Sequence, residues 1–305
     1  MSGRWIWRLL ALPGVFWLTV FFIVALYATV AVAFGNQNTL NEPIPYWNPL
    51  DWNVGYMLDT LENIFTGGQF LTVIVRTFLF VTLALAIALL IGYPVAYFAA
   101  RHAGRWKALV LVLLILPFWI NYLMRMLAWI NLLAPDGIGT RVLHATGVEQ
   151  VFLGLGLLST EGGWLEGQAT TVIIALVYGY IPFLILPLFA YLDRIDQRQI
   201  EAARDLGASP FDAFRRVTLP LSMPGVLAGL VLIALPMFGD YYTPDLVSGS
   251  PQTNLIGNQI DQLTRQGSQK VVGASLTLVL AVMLLALMLY YLRSTREADK
   301  ETQAA

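Results

Sequence analysis

Residues 201–226 read EAARDLGASPFDAFRRVTLPLSMPGV, a polar-rich stretch lying between two strongly apolar runs. It carries its own helix start and stop signals, which marks it as a folded connector and not slack chain. Just upstream, Asp196 with Gln199 three residues later forms a capping-box pattern. Good helix formers follow from Ile200 to Leu206 and lead to Gly207, the residue type expected just past a helix end. Ser209 then offers a second N-cap, with Pro210 at the first helical position, where its missing N–H costs nothing, and Asp212 three residues on. Phe211, Phe214 and Val217 recur every three residues, while Asp212, Arg215 and Arg216 lie elsewhere around the helix, giving an apolar stripe with a charged border. The expectation is two short helices joined at a tight Gly207-Ala208 corner, a shape suited to docking. The bland alternative is an amphipathic loop lying on a bilayer surface.

Working outward, the 305 residues are 57% hydrophobic and 12% charged, with net charge −1 and mean hydropathy +0.67. Soluble domains carry about one quarter charged residues, so this composition belongs to an integral membrane protein. The absence of cysteine excludes disulfides and thiolate metal sites, and two histidines, His102 and His144, are too few for a zinc centre. A phosphate-binding loop requires Gly-Lys followed by Ser or Thr, and none of Lys107, Lys270 or Lys300 follows a glycine. The chain therefore has no such route to ATP hydrolysis. No nucleophile–base pair or metal-ligand string supports an intramembrane enzyme, and nothing points to nucleic acid.

Six apolar runs are long enough to cross about 30 Å of hydrocarbon as helices. They cover approximately 9–34, 71–100, 108–134, 170–192, 221–242 and 271–292, with a connector at 196–220 and a tail at 293–305. The expected architecture is all-α, one membrane domain over 1–305. Ala31-Val32-Ala33 resembles a signal cleavage site, but the apolar stretch before it exceeds a signal core. Thirteen of the 18 lysines and arginines fall at the N-terminus, in the turn from Arg101 to Lys107, around Glu201 and in the tail. By the positive-inside rule, these segments face the cytoplasm. The opposite loops hold Arg141, Arg265 and Lys270 against ten carboxylates, a surface that attracts cations, although the same rule alone empties outer loops of basic residues. Between residues 36 and 70, Leu58, Leu61 and Phe65 at helical spacing suggest a short interfacial helix. The stretch 135–169 reads as a long glycine-rich loop.

Charged and strongly polar residues inside spans are costly and so are candidates for function. Arg76 and Arg125 lie toward the outer ends of their helices and either snorkel to headgroups or pair with Asp240. In GDYYTP, Asp240 stands beside Tyr241 and Tyr242 on a stretch interrupted by Pro236, Gly239 and Pro244. A carboxylate with aromatic faces binds alkyl-ammonium groups, and equally the tyrosines fit an interfacial belt. The third span carries LPFWINYLMRMLAW from Leu116 to Trp129, in which Pro117 is a kink candidate and Trp119, Tyr122 and Trp129 supply aromatic surface. Pro182 and Pro187 are kink candidates in the fourth span. The candidate solute pathway is thus Trp119, Tyr122, Asp240, Tyr241 and Tyr242.

The order EAA, LGAS, Phe214, Val217, Leu219-Pro220 and Pro224-Gly225 resembles the signature cytoplasmic loop of the membrane subunits of ABC-type importers, without departure from that pattern. LPFWINYLMRMLAW, FGDYYTPDLVSG and IGNQI at Ile256 to Ile260 narrow the resemblance to spermidine/putrescine importers, over essentially the whole chain from the second span onward. The resemblance implies a type I importer permease fold in the bacterial cytoplasmic (inner) membrane. It implies a heterodimer with a second six-span permease, two ATP-binding subunits and an extracytoplasmic solute-binding protein. No cofactor is expected on this chain, with ATP and Mg on the partner subunits, and the cargo is a polyamine. Glu201, Ala202, Ala203, Arg204, Gly207, Ser209, Phe211, Phe214 and Pro220 form the expected coupling loop. Glu201 and Arg204 are exposed in it, and Phe211 and Phe214 fill the partner's cleft. The alternatives are a permease for another small organic solute, or an ion-gradient-driven transporter with Asp240 as coupling carboxylate.

Overall fold

The computed structural model describes residues 4–39, 42–66, 68–266 and 269–304. The side chains of Arg4, Arg8, Arg296 and Lys300, used above for orientation, lie outside the described residues, as does the end of the tail at position 305. Helices α1 to α14 dominate, and the chain divides into two compact units, Met1–Thr72 with Gln259–Met283, and Val73–Asn258 with Leu284–Ala305. Among the described residues, five helices are long and apolar enough to span a membrane, and a sixth span is a bent pair of helices.

In the first unit, α1 (Arg4–Ala33) is followed by a two-residue antiparallel pairing of β1 (Asn36–Gln37) with β2 (Pro43–Ile44), in register Asn36 to Ile44. A side chain at Gly35 would collide with the Ile44 carbonyl oxygen, so the turn out of α1 requires glycine there. The amphipathic stretch is α2 (Val54–Thr66), as expected, with Leu58 and Phe65 exposed. The face it buries is Met57, Thr60 and Ile64, offset by one position from the Leu58/Leu61/Phe65 stripe. Met57 packs with Ala33 of α1 and Ala274 of the long C-terminal helix α14 (Lys270–Ala304). Helix α13 (Ile256–Arg265) contributes its Gln259–Arg265 segment here, where Gly273 lets the α14 backbone approach Thr264. The tail expected at 293–305 continues α14 as helix to Ala304.

The second unit is built around α8 (Ala169–Arg194) and α11 (Leu219–Phe238), a closely packed helix pair. Their axes come close because α11 presents glycines to α8. A Cβ at Gly225 would fall 2.6 Å from Tyr191 Cβ, and one at Gly229 would fall 2.7 Å from Leu184 Cδ1 and 3.0 Å from the Leu184 carbonyl oxygen. Small residues where backbones cross are the usual route to tight packing between membrane helices, where van der Waals contact replaces hydrophobic exclusion. Ala96 and Ala100 of α3 (Gln69–Arg101) complete the core with Ile185, Leu188, Leu192 and Val226.

Two proline expectations come out differently. Helix α8 runs unbroken through Pro182 and Pro187. The third span, by contrast, is fully broken: α4 (Lys107–Ile115) gives way to a 3-10 turn at Leu116–Trp119, and α5 (Tyr122–Leu133) leaves at 86°. Asn121 makes the break complete by accepting a hydrogen bond from the Leu123 N–H at 2.9 Å, which starts α5 as a newly capped helix. The 135–169 stretch is not simply loop. It contains α6 (Ile138–Ala145) and α7 (Val148–Gly154), wrapped on a cluster of Leu133, Leu158 and Trp164. Buried Glu149 ties this lobe together by accepting from the Gly162 N–H at 2.5 Å, with His144 Nδ1 3.0 Å away.

Candidate coupling loop and solute pathway

The connector folds as its caps dictate. Helix α9 (Gln197–Asp205) begins where the Asp196 carboxylate accepts the Arg198 N–H at 3.0 Å, and α10 (Pro210–Ala213) begins where Ser209 Oγ accepts the Asp212 N–H at 3.1 Å. Ser209 also donates its hydroxyl to the Asp212 carboxylate at 2.5 Å. Between the helices, Gly207 has φ +88, with its N–H on the Arg204 carbonyl at 2.9 Å and that of Ala208 on Ala203 at 3.1 Å. This is a left-handed C-terminal cap that glycine adopts without steric cost.

The second connector helix does not end before the span. Residues Phe214–Thr218 form a π-helical turn that runs directly into α11, so that Pro210–Phe238 is one continuous helical element. Pro220 explains the widened turn. It lacks an N–H, and its ring would press on the carbonyl of Arg216 four residues back, whereas Leu219 reaches five residues back to the Phe214 carbonyl.

Glu201, Ala202, Arg204, Gly207, Ser209, Phe211 and Pro220 are exposed, and Ala203 is half-buried. The two phenylalanines expected to act together are divided. Phe211 is 68% exposed, but Phe214 turns inward, edge-on to Tyr93 at 5.8 Å and Tyr97 at 5.7 Å on α3. Its position one turn later, on the π segment that abuts α3, is the reason. The second exposed apolar knob is Leu206, 90% exposed beside the Gly207 corner. By sequence Leu206 is a helix former, and its place directly before the capping Gly207 is the local signal for an exposed knob. The loop is anchored to α3 by Arg101, whose Nη2 donates to the Ile195 carbonyl at 2.8 Å, and to the start of α4 by a Lys107–Asp193 ion pair.

At the other end of α11, Asp240 is 5% exposed and its carboxylate is fully engaged. Oδ1 accepts the Thr243 N–H at 2.9 Å. Oδ2 accepts Tyr122 Oη at 2.9 Å, Tyr180 Oη at 3.0 Å and Thr243 Oγ1 at 2.7 Å. The phenolic hydroxyls thus come from Tyr122 on α5 and Tyr180 on α8, beside the Thr243 hydroxyl, and the Tyr241 and Tyr242 rings lie tilted against each other with centroids 3.8 Å apart. Tyr180 and Thr243 were missed by sequence reading; the YGY triplet at Tyr178 to Tyr180 was the only hint. Gly179 and Gly257 make the assembly possible, since side chains there would run into the Tyr122 ring and the Gly239-Asp240 backbone. Trp119 is 80% exposed on the broken-span turn and is not gathered with this cluster.

Neither arginine pairs with Asp240. Arg76 Nη1 donates to the Pro251 carbonyl at 2.9 Å, so it holds the chain after α12 (Tyr242–Val247) against α3. Arg125, 7% exposed, lies over Phe118 at 4.2 Å, Tyr122 at 5.3 Å and Tyr178 at 5.8 Å. Its charge rests on ring faces, which lessen the cost of a guanidinium away from water.

The chain is 35% identical over 221 residues to the spermidine/putrescine transport system permease protein PotB of Haemophilus influenzae, covering 72% of this chain and 73% of that one. It is 32% identical over 249 residues to the PotB protein of Escherichia coli K12, covering 81% and 86%. A crystal structure of a bacterial alginate ABC transporter, in complex with its alginate pentasaccharide-bound periplasmic protein, superposes over 96% of this chain and 95% of that one. The TM-score is 0.70 at 18% identity, a likeness of fold alone. The profile of one family, described as binding-protein-dependent transport system inner membrane component, matches residues 89–296, from the middle of α3 through both the α9–α10 connector and the Asp240 cluster. With two thirds of its length in that match and an all-helical permease fold, the chain belongs to the family of binding-protein-dependent transport system inner membrane components.

Proposed function

We propose that the chain is one of two membrane subunits of an ATP-driven polyamine importer of the bacterial inner membrane, fed by an extracytoplasmic binding protein. The observation that carries the coupling half of this reading is the exposed α9–Gly207–α10 corner fused without interruption to a membrane span. A partner ATPase that grips Leu206 and Phe211 would move α11 directly. The basic residues clustered on the same side as this loop support a cytoplasmic location for it and for both termini. The polyamine half rests on the spermidine/putrescine permeases that the chain resembles.

Asp240 is the anionic group of the proposed pathway, with Tyr122 and Tyr180 as its ring walls. Because its oxygens already accept four hydrogen bonds, a passing ammonium group must displace a tyrosine hydroxyl, which favours transient over tight binding. Selectivity would then rest chiefly with the binding protein. Reconstitution of this chain with its partner permease, ATPase and binding protein in proteoliposomes tests the reading. Spermidine or putrescine uptake should need ATP and every component. ATP-independent uptake by this chain alone would replace the reading with a gradient-driven carrier.

A further inference from the structure

Between the end of α3 and the docking helices lies a cavity of about 260 Å³, lined in part by Arg101, His102, Gln197, Arg204 and Thr218. No aspartate or glutamate lines it, and among the described residues no ion pair takes up Arg101 or Arg204. Two polar atoms of its lining residues, Arg101 Nε and Thr218 Oγ1, are closed to water and without a hydrogen-bond partner, and Thr218 is 1% exposed; the rest of the Arg101 guanidinium is engaged, Nη2 on the Ile195 carbonyl at 2.8 Å and Nη1 on Gln197 Oε1 at 3.5 Å. A buried hydroxyl in a helix ordinarily finds a backbone carbonyl or a ligand, and leaving it unmet costs about 1–3 kcal/mol.

Uncompensated positive charge, an imidazole, an amide and an orphaned hydroxyl around one polar hollow together suit an anion with several acceptor oxygens. Guanidinium groups match phosphate oxygens in particular, Arg204 through paired N–H donors and Arg101 through its remaining Nε–H. The position points to the same chemistry. Arg105, Trp106 and Lys107 lie in the short turn between α3 and α4 and at the start of α4, and basic and aromatic residues at helix ends mark the headgroup level of a bilayer.

We propose that this cavity binds a phosphate group, supplied by an anionic lipid headgroup or by free phosphate, and that the bound anion ties α9 and the π segment to α3. The docking loop would be held in register with its own span before any partner engages it. The inference rests on the cytoplasmic placement proposed above only in naming the leaflet; the binding itself does not depend on coupling.

The test is retention of phosphate groups by the complete importer in nanodiscs, read by native mass spectrometry without turnover. One set of discs holds phosphatidylcholine alone, one adds phosphatidylglycerol, and one is phosphatidylcholine titrated with inorganic phosphate. Wild type should retain phosphatidylglycerol or bind inorganic phosphate, and the set in which this occurs identifies the source. Thr218→Val, which keeps the side-chain shape, should weaken retention several-fold, and Arg101→Gln at least about tenfold. Equal retention by wild type and both variants, or none by wild type, overturns the proposal. The same measurement on the permease pair without the ATPase is the second arm, and binding there that disappears in the complete importer also overturns the proposal, because the ATPase would then occupy the cavity. A loss of coupling with retention intact would count against the docking-loop reading and leave this one standing.

Discussion

Replacing Gly207 by valine isolates the corner of the docking loop as a mechanical element. With φ at +88, the position lies where L-residues are disfavoured by about 1–2 kcal/mol, and a β-branched residue is a worse case still. A Cβ there would meet nothing within 4 Å, so the penalty comes from the backbone alone and no neighbouring side chain is displaced. Because the corner is exposed and outside the core, the six spans should assemble normally. The docking geometry should be populated roughly 5- to 30-fold less, the equilibrium equivalent of about 1–2 kcal/mol. Solute-stimulated ATP hydrolysis and uptake in proteoliposomes should fall together, while the ATPase's solute-independent activity persists. Gly207→Asn is the control, since asparagine tolerates left-handed backbone, and it should retain most of the coupling. Wild-type coupling in the valine variant would refute the claim that this φ is what shapes the docking corner.

Three further outcomes follow from particular contacts. Gly229→Ala places a methyl 2.7 Å from Leu184 Cδ1 and should force α11 from α8 at a cost of about 1–3 kcal/mol. An unchanged unfolding temperature in detergent would contradict the close approach. Ser209→Ala removes the α10 cap and should cost about 1 kcal/mol locally, seen as faster amide hydrogen exchange at Asp212 and its neighbours. Exchange at the wild-type rate would show that the cap is idle. Asp240→Ala leaves the Tyr180 hydroxyl without its acceptor, while Tyr122 keeps Thr243 Oγ1 as a partner. It should lower stability by about 1–3 kcal/mol and depress uptake, whereas Tyr180→Phe should raise the KM for spermidine with little change in ATP coupling. Unchanged transport in both would remove Asp240 from the pathway.

The parts legible in the sequence were those written in local chemistry. The N-caps at Asp196 and Ser209 and the helix-ending Gly207 each act within a few residues, so spacing alone reveals them. The apolar runs were equally plain, because hydrocarbon thickness sets their length. What stayed hidden depends on other helices. Whether Phe214 faces a partner or α3 is decided by the rotation that the π turn introduces, which no 3.6-residue periodicity contains. Asp240's tyrosine donors arrive from residues 118 and 60 positions away, so no local spacing pairs them with it. The break at Leu116 to Asn121 was half visible. Pro117 announced a weakness, but the Asn121 cap that turns a kink into an 86° corner reads as a polar residue in a hydrophobic run.

The element from Pro210 to Phe238 is about 43 Å long at 1.5 Å per residue, and its tightest contact with α8, at Gly225 and Gly229, falls inside its length and not at either end. Such a rod is a lever with a fulcrum. The arm from Phe211 to Gly229 is about 27 Å and the arm from Gly229 to Phe238 about 14 Å, a ratio near two to one. Rotation about that crossing would turn a displacement of ~3 Å at the docking end into ~1.5 Å, in the opposite sense, at the end that carries Asp240. Force would be roughly doubled as travel is halved. That gearing suits a partner that moves far to break a few hydroxyl–carboxylate bonds, and it makes the two glycines at the crossing as much a part of the machine as the residues at either tip.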